Sequence, residues 1–220
     1  MQFFDLLKVY VALDPARKIA VSVLPVIFAI TAHEAAHGYV ARYFGDPTAA
    51  SAGRITLNPL KHIDPVGTVL VPLLTMLAGG VLFGWAKPVP VNFNRLRDPK
   101  KDMLWVAAAG PGANLVMTIF WVILSKFAPF MGEFSLPLML MSMIGIIINV
   151  ALMVLNLLPL PPLDGGRIAV SLLPQPYAWQ FAKLERFGFL ILLVLLFTGI
   201  LGKILWPIVD FVTQAISLIF

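Results

Sequence analysis

A chain of 220 residues that is 60% hydrophobic and only 12% charged, with a mean hydropathy of +0.91, falls outside the range of soluble globular domains. The absence of cysteine excludes a disulfide framework, a thiolate nucleophile and a cysteine-held metal, so any metal must sit on His, Asp or Glu. A net charge of +5 would suggest nucleic acid in a soluble protein, but these bases lie in short loops between apolar runs, where membrane orientation explains them.

The opening stretch MQFFDLLKVYVALDPARK has Asp5 and Lys8 inside its apolar run and no small-residue cleavage site, which argues against a signal peptide. It predicts an interfacial helix over 1–17 with Phe3, Phe4, Leu7 and Val11 toward lipid. Residues 18–43 form the first run long enough to cross a bilayer, free of formal charge between Lys18 and Glu34 and closed by Arg42 at the interface. Asp-Pro, Asn-Pro and Asp-Pro steps then break 46–65. Residues 66–84 are apolar but interrupted by Pro72 and Gly79-Gly80, and 85–102 opens with an alternating, proline-spaced run suited to an edge strand. Long apolar runs follow at 103–128, 134–160 and 187–220. The last, broken by Gly199, Gly202, Lys203 and Pro207, is open to being one span or two. The pattern predicts an all-α polytopic membrane protein with four to six transmembrane helices, re-entrant segments and a small membrane-associated β element.

Polar groups within such runs are costly and point to function. In HEAAH, His33 and His37 stand one helical turn apart on one face and can reach a single cation, with Glu34 beside the open coordination position. The plainer reading, two histidines hydrogen-bonding between helices, leaves the Glu34 carboxylate unexplained. A catalytic zinc site has three protein ligands and one open position, so a third ligand must come from elsewhere. Asp164 is the leading candidate: it ends a charge-free run that begins after Glu133, and Gly165-Gly166 behind it would let the backbone turn beside a metal. His62, in a proline-punctuated loop, is the competitor.

Five motifs, HEAAH at 33–37, NPLKHIDPVGT at 58–68, AKPVPVNF at 86–93, AGPGAN at 109–114 and NLLPLPPLDGGR at 156–167, together give the chain its family likeness. It resembles the site-2 protease family of intramembrane zinc metalloproteases, peptidase family M50, in the short form lacking a PDZ or CBS domain. The resemblance covers most of the chain. It implies one Zn2+ per chain on His33, His37 and Asp164, catalysis by Glu34, and substrate contacts from Asn156, Pro159 and Asn114. The family's segment between its first two core helices forms a membrane-associated β element, which the stretch from Trp85 looks like. The chain is accordingly divided into an interfacial helix (1–17), a catalytic transmembrane core (18–175) and a C-terminal transmembrane region (176–220).

The expected partners are transmembrane protein substrates and the lipid bilayer, with no nucleic acid. A substrate helix must be extended before it is cut, and a free edge at Val89, Val91 and Phe93 could supply substitute backbone partners by strand addition. Because His37 lies five residues before Arg42, the metal sits toward the end of the first span. Asp164 reaches that level only if 66–84 re-enters rather than crosses, which gathers most basic loops on the cytoplasmic face of what is expected to be a bacterial inner membrane. Two other functions use the same residues: a metal transporter, which would show paired broken helices and ionisable groups along a path, and a non-catalytic binder of transmembrane helices, which would show an altered HExxH or Asp.

Overall fold

The computed structural model describes residues 3–71 and 85–219. The chain opens with α1 (Phe3–Ala12), which buries Leu6 against Val21, Leu140 and Met143 and leaves Leu7 and Val11 on its outer face. The side chains of Phe3 and Phe4 lie outside the described residues.

α2 (Pro15–Tyr43) and α3 (Pro99–Phe127) begin alike. Asp14 and Asp98 accept backbone N–H groups from Arg17 and Lys101, and a proline takes the first helical position, where an N–H would have no partner. α4 (Ser135–Leu157) stops before Pro159, Pro161 and Pro162, none of which can donate to a continuing ladder. Contacts between the helices set their directions. Ala29 and His33 of α2 meet Asn114 of α3, and His37 meets Val106; Asn114 meets Asn149 of α4, while Trp121 meets Gly145. A step forward on one helix is a step back on its neighbour, so α2, α3 and α4 run up, down and up. Their contacts rest on close packing, since lipid is as apolar as the side chains. Gly145 illustrates this: an added Cβ would overlap the Trp121 ring.

After α4 the chain folds back through Leu158–Leu163 into α5 (Asp164–Leu172) and then α6 (Gln175–Ala182). α7 (Glu185–Phe197) and α8 (Ile200–Ile219) meet at a bend of 82° at Gly199, whose φ of +72° favours glycine. α8 sets Val209 and Ile216 against Val122, Val150, Met153 and Val154. Among the described residues three helices are long and apolar enough to cross a membrane, or four if the bent pair is one span. The protein is an all-α, polytopic integral membrane protein.

The described residues contain no strand, and the stretch from Trp85 to Asn92 does not form the expected β element. Its donors are spent on loops and side chains. Trp85 N–H goes to Gly67 O, Lys87 to His62 O, Val89 to Glu34 and Asn92 to Asp46, while Pro88 and Pro90 have no N–H. Arg54 caps the carbonyls of Lys87 and Pro88. Pro65–Leu70 forms a wide helical turn whose start Asp64 caps, but most of the expected re-entrant segment, from Pro72 to Gly84, lies outside the described residues.

Candidate metal centre

Three buried donors converge between α2 and the start of α5. His33 Nε2 and His37 Nε2 are 3.1 Å apart, and each lies 3.3 Å from Asp164 Oδ2. Zinc bonds of about 2.0–2.1 Å in a tetrahedron separate neighbouring donors by about 3.3–3.4 Å. The three atoms therefore outline one face of such a tetrahedron and leave a fourth vertex.

Proton accounting leads to the same cation. Asn114 Nδ2 gives one proton to Ala29 O (3.1 Å) and one to Asn149 Oδ1 (2.9 Å), so its Oδ1 must be the acceptor for His33 Nδ1 at 2.7 Å. His37 Nδ1 lies 2.7 Å from Val106 O, and a carbonyl can only accept. Each imidazole thus holds a proton on Nδ1, and the neutral ring turns a bare Nε2 to the centre. Asp164 Oδ2 is buried there without a hydrogen-bond partner. Three lone pairs within 3.3 Å repel one another unless a positive ion lies between them. Gly110 completes the cradle, because a Cβ at this position would overlap both rings.

Asp164 arrives at this depth by close backbone packing. Added Cβ atoms at Gly165 and Gly166 would run into the backbone of Leu157, Leu158, Leu160 and Pro161. Neither glycine has a positive φ, so what the pair supplies is room for the returning loop rather than the unusual turn that the sequence suggested. Glu34, one residue past His33, is half-buried, and its Oε2 accepts the Val89 N–H at 2.7 Å. The Val89 side chain is seated on Gly38 one turn further along α2.

The comparisons with known proteins bear on this donor set. "Putative zinc metalloprotease YwhC" of Bacillus subtilis is 40% identical over 193 residues, covering 86% of this chain and 85% of that protein. The chain belongs to peptidase family M50, the site-2 protease family. The family's own model, Peptidase family M50, matches residues 133–198. "Putative zinc metalloprotease Rip2" of Mycolicibacterium smegmatis is 33% identical over 183 residues, 80% of this chain and 66% of that one. The Rip2 of Mycobacterium tuberculosis strain H37Rv is 28% identical over 166 residues, 74% and 61% respectively. No solved structure matches the chain. The protein is a zinc metalloprotease, and His33, His37 and Asp164 could hold the ion.

The remaining candidate residues of this M50 protease lie around that centre. Asn114 does not face a substrate. It is fully buried, and both its amide protons and its oxygen are committed to α2 and α4. Asn156, half-buried, bonds its own helix at Leu152 O (2.9 Å), and Pro159 is exposed in the returning loop. Val91 and Phe93 pack beside Ala41, Leu96 and Val106. Phe93 lies in a 3-10 turn, Phe93–Arg95, with the Arg167 guanidinium 5.3 Å from its ring, so it is not part of a free edge. His62 stands apart from the donor group, buried and bonded through Nε2 to Thr56 O at 2.9 Å. Sequence reasoning missed Gly110 and Asn149. The signal for Asn149 was present, since a lone amide within IIINVALM must face the bundle interior.

Proposed function

We propose that this zinc metalloprotease is an intramembrane endopeptidase of the site-2 type, with zinc on His33, His37 and Asp164 and Glu34 as the proton carrier. The observation that carries the reading is the triangle of donor atoms beside Glu34, two of them on α2, a helix long and apolar enough to cross a membrane. Bound zinc would supply a water of lowered pKa and polarise a scissile carbonyl. Glu34 takes the proton from the attacking water and delivers it to the leaving amide nitrogen. The Val89 N–H on Oε2 fixes the carboxylate and leaves Oε1 for the water. Asn114 and the Val106 carbonyl hold the two imidazoles in their ligating form. Asn156 and Pro159, where α4 gives way to the returning loop, are the substrate contacts in this reading, and Asn156 keeps one amide proton beyond its bond to Leu152. With Glu34 holding Val89, any strand addition is confined to the outer side of the 86–92 stretch around Val91.

The substrates in this reading are transmembrane proteins, because the donors lie against α2 and α3, both long and apolar enough to cross a bilayer. Eleven of the 16 basic residues lie on the metal side: Arg42, Arg54, Lys61, Lys87, Arg95, Arg97, Lys100, Lys101, Arg167, Lys183 and Arg186. Lys8, Arg17, Lys18 and Lys126 lie opposite, and the excess supports a cytoplasmic-facing site in a bacterial inner membrane. The test is cleavage of a panel of single-span proteins in proteoliposomes, with and without a zinc chelator, and the cut mapped by mass spectrometry. Zinc-dependent cuts in or beside the hydrophobic segment are expected; cuts confined to soluble regions would contradict the intramembrane reading. Single cysteines at the exposed positions Ser51 and Asn94 should both react with an impermeant thiol reagent from the cytoplasmic side.

A further inference from the structure

We infer that Asn149, which touches no metal ligand, is a positioning residue for the zinc, acting on His33 through Asn114. The inference rests on His33 being a ligand, as proposed above. Three buried side chains on three helices form one directed chain. Asn149 Nδ2 donates to Gly145 O at 2.8 Å, and because a carbonyl can only accept, its Oδ1 is the atom turned toward α3. That oxygen accepts one Asn114 proton, which leaves Asn114 Oδ1 for His33 Nδ1. Asn114 and Asn149 are both 0% exposed, so water cannot stand in for a missing partner.

The orientation of Asn114 decides what His33 offers the metal. If its amide turned over, Nδ2 would face the ring, Nδ1 would have to accept, and the ring proton would move to Nε2, the atom that faces Asp164 and His37. Two acceptors oppose that flip. Ala29 O belongs to α2 and moves with His33, whereas Asn149 Oδ1 alone ties the amide to α4. Without it the amide is held from one side only, and His33 loses a fixed ring angle as well as a fixed tautomer. Residues that orient a ligand in this way change metal affinity by about 10–100-fold.

The experiment is the zinc Kd of purified protein, by competition with a chromogenic chelator, alongside the thermal midpoint of the metal-free form. Asn149→Ser keeps a hydroxyl for Gly145 O but is too short to reach Asn114, and it should weaken zinc by about tenfold. Asn149→Asp, as the neutral acid, keeps an acceptor oxygen for Asn114 and an O–H for Gly145 O, and should bind zinc close to wild type. In an Asn114→Ala background, Asn149→Ser should weaken zinc no further, because both act through one bond to His33. A residue that is merely structural would lower the metal-free midpoint and leave Kd alone. An unchanged Kd in Asn149→Ser, or losses that add in the double variant, would overturn the inference while leaving the metal site standing. A wild-type protein that bound no zinc would overturn both.

Discussion

Gly110→Ala adds one methyl group against the two Nε2 atoms that would hold the ion. The new Cβ would stand 2.6 Å from His33 Nε2, and it would overlap His37 Nε2 as well. Ordinary van der Waals separation is about 3.5 Å, so the rings must retreat by about 1 Å. Metal–ligand distances tolerate about 0.2 Å. The displacement is several times that tolerance, and zinc should bind at least about 100-fold more weakly, equivalent to about 2.7 kcal/mol. Helix weakening cannot produce this result, because Gly→Ala in a helix interior favours the helix by about 1 kcal/mol. Gly112→Ala is the internal control: it lies two residues on in the same helix, where a Cβ would meet nothing within 4 Å, and zinc affinity should not change. Chelator competition on both purified variants gives the two Kd values. Wild-type affinity in Gly110→Ala, or equal losses in both, would refute the placement of the ion.

Val89→Pro removes the N–H that Glu34 accepts, and cleavage should fall roughly tenfold at unchanged zinc content; unchanged turnover would show that this bond does not position the base. Asp164→Ala should lower zinc occupancy, whereas His62→Ala should leave it intact because His62 is bonded to Thr56 O away from the donors; metal analysis giving the reverse would assign the third ligand to His62. Burial pushes the Asp46 carboxyl up, but bonds from Thr48 and Asn92 outweigh it and hold it below the usual range. A lowered folded-state pKa adds stability that is full above the unfolded value of about 3.9 and fades as pH falls below it. The thermal midpoint of Asp46→Asn should therefore trail wild type at neutral pH and draw level in acid, and a gap independent of pH would count against that role.

The spans were legible because apolar length and proline position act locally. Pro15, Pro99 and the Pro159–Pro162 cluster bracket α2, α3 and α4 within a few residues of the boundaries read from sequence. That His33, His37 and Asp164 could form one donor group was legible through the one-turn spacing of the histidines and the 30 charge-free residues before Asp164. What was not legible depends on which elements come together. Alternation in KPVPVNF looks like a strand, but whether a partner exists depends on where Gly67, His62, Glu34 and Asp46 lie in space. Asn114 carries the same letter whether it faces a substrate or the back of His33, and only the packing of Asn149 against it decides. Gly165 and Gly166 were noticed as flexible, yet their use is the absence of a side chain where Leu157 to Pro161 pass.

The central claim, that one zinc on His33, His37 and Asp164 works with Glu34 to hydrolyse transmembrane substrates, is tested most directly on Glu34→Gln. Zinc stoichiometry and cleavage of a single-span substrate in proteoliposomes are measured on the same preparation as wild type. Glu34 is beside the donors but not among them, so the variant should hold one zinc per chain, as wild type does, and cut nothing. Cleavage at the wild-type rate by zinc-loaded Glu34→Gln would contradict the account.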